Sequence, residues 1–184
     1  TEKSQKAALK HLLQYRDSLT EALSSGIPAL FTGNACEMLG ASITDSQGNQ
    51  YEALGLLDFT TTERSDIRYT GDAVAESQLF SSPVVGFVNK CSALEGITSP
   101  LFRLKMGHGN NPDTRDEGFH YRNVLGTHLI GPLLVKNPAV MEWLVKLIGS
   151  RQEGFVYTPK TYEYEEKAYE TTLRALEERL ASQK

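Results

Sequence analysis

The side chains in this chain that could carry covalent or acid–base chemistry are few. Among 184 residues there are two cysteines, Cys36 and Cys91, and four histidines, His11, His108, His120 and His128. A thiol attacks a carbonyl only as the thiolate, and only where an imidazole can take and return the proton. Cys36 follows Thr32-Gly33-Asn34 at the close of an apolar run, the place where a strand-to-helix elbow would present a nucleophile. The residue at the sharp turn is Gly33, however, and Cys36 comes one helical turn later, so it reads as a small apolar core residue. Cys91, after Asn89-Lys90 in a turn, reads as a surface thiol whose pKa the lysine could lower.

The histidines have neither an HExxH nor a Cys–His spacing, so no metal and no cofactor is expected. Gly107-His108-Gly109-Asn110-Asn111 is glycine-rich, but it lacks the GxGxxG order and no helix follows it. The acidic run Glu163, Glu165 and Glu166 reads as a solvated face suited to the positive end of a helix.

These residues must be positioned by elements that the sequence outlines. Ala8, Leu12, Leu19 and Leu23 form one 3.6-period stripe, stopped by Gly26 and Pro28. Ile27–Phe31 reads as a buried strand, and a helix with Cys36, Met38 and Leu39 follows the glycine turn as far as Gly40. Residues 54–60, 67–75, 83–89 and 101–106 read as short strands, spaced for antiparallel neighbours. His108–Glu117 reads as a polar loop and His120–Ile130 as a further strand.

Asn137-Pro138 opens a helix as N-cap and first helical residue, with Val140, Trp143, Leu144, Leu147 and Ile148 on its broad apolar face. After a linker with Gly154 and Pro159, a last amphipathic helix carries Tyr162, Tyr169, Leu173, Leu176 and Leu180. The expected division is a domain at 1–150 and, at 151–184, a linker with a helix packing on it. An α/β sheet needs several βα units, and only one parallel-type unit opens this chain. Either the sheet is unusually small or, as expected here, the chain lacks upstream strands, roughly 60 residues for two units.

Composition narrows the function classes. Apolar residues are 40% and charged residues 23%, as in an ordinary globular protein. The net charge of −4 leaves no phosphate-binding footprint, so nucleic acid is not expected as a partner. No apolar run approaches the ~20 residues of a membrane span, and no secretory signal opens the chain. Two cysteines make no disulfide framework, so free thiols and a cytoplasmic location are expected.

Several phrases then occur in one order: EMLG (37–40), ALGLLDFTTTE (53–63), RYTGD (68–72), VVGFVN (84–89), GHGNN (107–111) and EGFHYRNVLGTHLIGPLLVKNP (117–138). Taken together they resemble the cobyric-acid-synthase (CobB/CobQ) type of class I glutamine amidotransferases. Within that type they are most similar to the glutaminase subunits of lipid II isoglutaminyl synthases, which work beside a Mur-ligase-like subunit to amidate peptidoglycan precursors. The resemblance implies a flavodoxin-like α/β fold with its site at the carboxyl ends of the strands. It also implies a glycine-rich oxyanion loop immediately before Thr1.

The departures from the family pattern fall on the chemistry. Its nucleophile motif, C-G-G-Y-Q-x-L-G, anchored on Leu39-Gly40, places the cysteine on Gly33, the glutamine on Glu37 and the aromatic on Cys36. Its histidine motif, G-T-Y-L-H-G-P, reads Gly126-Thr127-His128-Leu129-Ile130-Gly131-Pro132 here, which places the histidine on Ile130. Its E-N-H-G-G segment falls on Val88–Ser92, and its substrate-holding arginine matches Arg68.

Glycine and isoleucine can neither attack an amide nor shuttle a proton. The resemblance therefore implies a glutaminase-dead subunit for a Mur-ligase-like synthetase, with Arg68, Asn34 and Glu37 left to hold a small polar ligand. A homodimer stays open. The alternative is an active enzyme with a relocated Cys36–His128 dyad, since on an extended strand His128 and Ile130 share a face about 6.6 Å apart.

Overall fold

A computed structural model of the chain describes residues 2–160 and 162–182; the place implied for the oxyanion loop, ahead of Thr1, lies outside them. Helix α1 (Glu2–Leu12), a 3-10 turn at Leu13–Tyr15 and helix α2 (Arg16–Ser24) precede strand β1 (Ala29–Thr32) and a 3-10 helix at Gly33–Leu39. Then follow β2 (Ser42–Thr44), β3 (Gln50–Glu52), β4 (Thr60–Glu63), β5 (Tyr69–Glu76), β6 (Val84–Lys90), β7 (Ser92–Glu95) and β8 (Phe102–Met106). The chain continues through β9 (Asp116–Glu117), β10 (Phe119–Tyr121) and β11 (Val124–Thr127) to helices α3 (Leu133–Lys136), α4 (Pro138–Gly149) and α5 (Glu163–Ala181).

The architecture is mixed α/β and consistent with a flavodoxin-like class I amidotransferase domain. β1 pairs in parallel with β11, Ala29 opposite Val124 through Thr32 opposite Thr127, and β10 pairs antiparallel on the far side of β11. The other described strands form two sheets, ordered β3-β2-β4-β7 and β6-β5-β8-β9. Only Cys91 separates β6 from β7, so the chain changes sheets at that residue. A backbone bridge between Phe87 and Ile130 ties β6 to the segment leaving β11.

One core joins α1, the 3-10 helix and β2 through Leu9, Leu39, Ile43, Phe59 and Phe119. A second gathers Val84, Val88, Phe102, Leu129 and Val140. On the opposite side of the β5–β6 pair, Tyr169, Leu173, Leu176 and Leu180 of α5 cover Val74, Val85 and Met106.

Local competition moved several elements from where periodicity puts them. The first helix breaks at Leu13–Tyr15, and its inner face runs through Gln5 and Leu9 while Ala8 is exposed. Residues 54–59 form no strand. Leu54 and Leu57 donate instead to the carbonyls of Met38 and Leu39, and Gly55 to that of Gly40. This apolar stretch is thus laid along the 3-10 helix, and the strand begins only at Thr60. The helix expected after the glycine turn is 3-10 rather than α.

His120–Ile130 is a hairpin, not one strand: Arg122 turns it with φ 52°, and extension ends at Thr127. Asn137 precedes α4 without capping it through its side chain. Its amide instead takes the backbone of Val85, accepting from N at 2.7 Å and donating to O at 2.8 Å. On α4, Val140 is buried, but Ile148 is 49% exposed.

Candidate functional site

The carboxyl ends of the parallel pair β1 and β11 meet at one corner, where both chains turn away from the sheet. β1 leaves Thr32 extended, and Gly33 takes φ 62°, the left-handed conformation of a sharp strand-to-helix elbow. The 3-10 helix then runs under the corner and buries Cys36, Glu37, Met38 and Leu39. Beyond Thr127, Ile130 comes back against the elbow. A Cβ built on Gly33 would stand 3.5 Å from Ile130 Cγ2, with no other contact within 4 Å. The two positions assigned to the family's cysteine and histidine are therefore neighbours.

Above them opens a cavity of about 310 Å³ whose walls include Gly33, Asn34, Arg68, Asn89, Ser92 and Ile130. Arg68 is exposed, donates from Nε to Asn89 Oδ1 at 2.7 Å, and stands 4.0 Å from Glu2. Asn34 and Glu37 line the same cavity, so the expected ligand residues converge. Glu37, however, turns both carboxylate oxygens inward. Gln5 donates to Oε2 at 2.6 Å, while Ser92 Oγ and, at 2.9 Å, His128 Nε2 meet Oε1. Gln5 also donates to the Asn34 carbonyl at 2.6 Å. Glu37 is thus a hub that clamps α1, β7 and the segment after β11 to the elbow.

The relocated pair also comes together, but in the floor. Cys36 Sγ lies 3.8 Å from His128 Nε2; the thiol is 0% and His128 2% exposed. His128 and Ile130 do not share an open face, because the strand stops at Thr127. His128 points into the core, and Ile130 lines the cavity.

Glu117 takes the His128 backbone N–H at 2.7 Å and the Thr127 hydroxyl at 2.6 Å, and lies 3.6 Å from His128 Nδ1. Burial alone would push the imidazole pKa down. Cys36 and the carboxylates of Glu117 and Glu37 outweigh it, raising His128 well above its usual value. Burial pushes the Cys36 thiol up against the pull of His128. Glu37 is correspondingly lowered: its own burial is overcome by His128, Ser92 and Gln5.

Cys91 is part-buried rather than a surface thiol, with Sγ 3.2 Å from Glu2 Oε1. Burial and that carboxylate push its pKa up to about 11. Lys90 does not lower it, since the lysine is itself buried and donates to the carbonyls of Gly109 (2.7 Å) and Asn110 (2.9 Å). No group of three or more His, Cys, Asp or Glu side chains is placed to hold a metal ion among the described residues. Among them, too, no helix is long and apolar enough to cross a membrane.

Sequence reasoning missed Gln5, Ser92 and Glu117. Nothing in their local pattern marks them; each becomes visible only as a partner of Glu37 or His128.

A family model for the CobB/CobQ-like glutamine amidotransferase domain matches residues 1–138. Among curated proteins, the glutamine-hydrolyzing subunit GatD of lipid II isoglutaminyl synthase from Staphylococcus aureus (strain N315) is 34% identical over 165 residues, covering 90% of this chain and 67% of that protein. GatD of the same synthase from Streptococcus pneumoniae (strain ATCC BAA-255 / R6) is 31% identical over 120 residues, or 64% of this chain and 46% of that protein. The chain therefore spans about two thirds of the first relative and less than half of the second.

Proposed function

The chain belongs to the CobB/CobQ-like glutamine amidotransferase family, and from that premise we propose that it serves as an amidotransferase-like subunit without glutaminase chemistry. The observation that carries this reading is the elbow itself. Gly33 keeps the left-handed turn and has no side chain, and the residue facing it is Ile130. Hydrolysis of glutamine needs a nucleophile to form the acyl-enzyme and an imidazole to protonate the leaving ammonia. No imidazole lines this cavity among the described residues, and the thiol on its wall, Cys91, is pushed up to about 11 by burial and the Glu2 carboxylate.

The relatives are glutamine-hydrolyzing subunits of lipid II isoglutaminyl synthases. By extension, this chain's partner is an ATP-dependent, Mur-ligase-like synthetase acting in the cytoplasm on a cell-wall precursor. The surviving cavity, with Arg68 and Asn34 on its wall and Glu37 below, would take a small polar ligand that the chain binds and does not cleave.

One observation favours a second reading, a relocated dyad: the 3.8 Å approach of Cys36 to His128. Against it, the thiol is fully buried, neutral and below the cavity rather than in it. A substrate carbonyl could not reach it at the attack distance of about 3–3.5 Å without opening the core.

Ammonia release from glutamine by the purified full-length protein tests both readings. No turnover is expected, and Cys36→Ala is expected to change nothing. Turnover abolished by Cys36→Ala would replace the proposal with the dyad. Gly33→Cys combined with Ile130→His restores both chemical groups at the elbow, and gain of ammonia release in that double variant would mark these positions as the lost ones. Co-purification is expected to recover a synthetase of the stated class; an isolated monomer would count against the partner.

A further inference from the structure

The glycine-rich loop Gly107–Asn111 has no part in the proposed function, yet its conformation is closely fixed. Gly107 takes φ 113°, and a Cβ there would meet Ala73 Cβ at 3.0 Å. A Cβ on Gly109 would lie 2.2 Å from the Thr114 carbonyl, so the loop closes on itself at a point where only glycine fits. Asn110 fastens its far side, donating to the Gly118 carbonyl at 3.0 Å and accepting from the Gly118 N–H at 2.8 Å. Asn111 donates to Glu95 at 2.9 Å, and Lys90 holds the Gly109 and Asn110 carbonyls from beneath.

None of this fastening uses His108 or Arg115. Both residues are exposed, and neither side chain has a hydrogen-bond or ion-pair partner among the described residues, while the Arg115 carbonyl accepts the Leu104 N–H at 2.8 Å. Other arginines are paired: Arg64 with Asp66, Arg103 with Asp116, Arg179 with Asp72. His108 and Arg115 instead line one cavity of about 250 Å³, together with Tyr69 and Thr114. The Tyr69 ring lies 5.2 Å from that of His108, and its hydroxyl has no hydrogen-bond partner. No lining residue is acidic, in a chain where Asp and Glu number 23 against 19 Lys and Arg. The cavity also shares no lining residue with the one at the elbow.

We propose that this loop cavity is a binding site for a small oxyanion, carboxylate or phosphate, held between Arg115 and His108. A guanidinium fork accepts either group in bidentate fashion, and the fixed loop presents it without ordering cost to the backbone. The site is independent of the elbow, so it stands or falls separately from the missing glutaminase chemistry.

The test is an NMR titration of the full-length protein at constant pH and ionic strength, following the His108 ring signals. Inorganic phosphate and acetate are added in separate arms, with sodium chloride as control. Saturable shifts with one or both oxyanions, and none with chloride, are expected; the arm that saturates at lower concentration identifies the group. Arg115→Gln, a surface change, is expected to weaken that binding about tenfold, the effect of losing one charge-assisted bidentate partner. His108→Gln, followed through the Tyr69 amide, gives a second reading of the same loss. Shifts that fail to saturate with either oxyanion, or that persist unchanged in Arg115→Gln, would overturn the proposal.

Discussion

His128 Nε2 lies 2.9 Å from Glu37 Oε1 in a floor where both side chains are almost wholly buried. A buried carboxylate is costly unless it is paired and its remaining lone pairs are filled. Here they are filled by Gln5 and Ser92, while Glu117 stands on the other side of the ring. Lys90 faces the same set, its pKa lowered by burial against the pull of Glu117, Cys36 and Glu37. Glu37 and His128, the positions onto which the resemblance places the family's glutamine and tyrosine, form an ion pair here, and that pair anchors the elbow at Gly33.

The pair sets the pH dependence of stability. The folded pKa of His128 is raised, so its contribution is full below the unfolded value near 6.5 and is lost as pH rises through the raised folded value. The folded pKa of Glu37 is lowered, so its contribution is present above about 4.3 and is lost as pH falls through the lowered value. Urea unfolding across pH is therefore expected to show a plateau between about pH 4.3 and 6.5, with a decline on each side. In His128→Gln the alkaline decline should flatten, and in Glu37→Gln the acid one. An unchanged alkaline limb in His128→Gln would mean that the ring is neutral in the fold.

Partnership can be measured separately from burial. Breaking a buried pair from one side costs roughly 3–5 kcal/mol, because the other charge is stranded. Glu37→Gln and His128→Gln should each approach that loss. The double variant should fall short of their sum by about 1–3 kcal/mol, the coupling expected of residues in direct contact. Strict additivity in chemical denaturation would show that the two side chains are neighbours without being partners.

Two glycines with nearly the same φ should respond differently to alanine. Gly33 at 62° has open space apart from Ile130 Cγ2, so Gly33→Ala should cost only the left-handed strain, about 1–2 kcal/mol. Gly118 at 66° would place its Cβ 2.3 Å from the Gly126 carbonyl. That contact is backbone against backbone in the β10–β11 hairpin, where nothing can rotate away, so Gly118→Ala should cost clearly more and lower the yield of folded protein. Thermal melts of the two variants decide it; equal losses would mean that the elbow is more crowded than its neighbours indicate.

The elbow was legible in the sequence because its signals are local. An apolar run, Gly33 as turn residue and a buried Leu39-Gly40 close lie within a dozen residues and admit few arrangements. The periodic stripe of α5 is local in the same way. What could not be read was set by distant partners. Leu54–Leu57 have strand-like composition, yet the end of the 3-10 helix and the Gly40 that follows it offer the carbonyls of Met38, Leu39 and Gly40, and the chain satisfies those first. Asn137 has the type of a helix cap, but Val85 binds it. The sequence marks His128 as a candidate partner of Cys36, but its pairing with Glu37, 91 residues away, has no local signal.

The two thiols should be kinetically distinct, and neither should behave as a nucleophile. Cys36 has no accessible surface, and burial raises its pKa, so an aromatic disulfide reagent should reach it only when the protein unfolds. Cys91 is partly accessible but titrates at about 11, through burial first and the Glu2 carboxylate next. At pH 8 one thiol should therefore react slowly, with a rate that climbs about tenfold per pH unit as the thiolate fraction grows. Glu2→Gln removes the acceptor and its charge and should accelerate that phase, whereas Cys91→Ser should abolish it and leave a reaction limited by global opening. A fast phase that survives Cys91→Ser and vanishes in Cys36→Ser would reveal an open path to the floor of the elbow, and with it the access that a Cys36–His128 dyad requires.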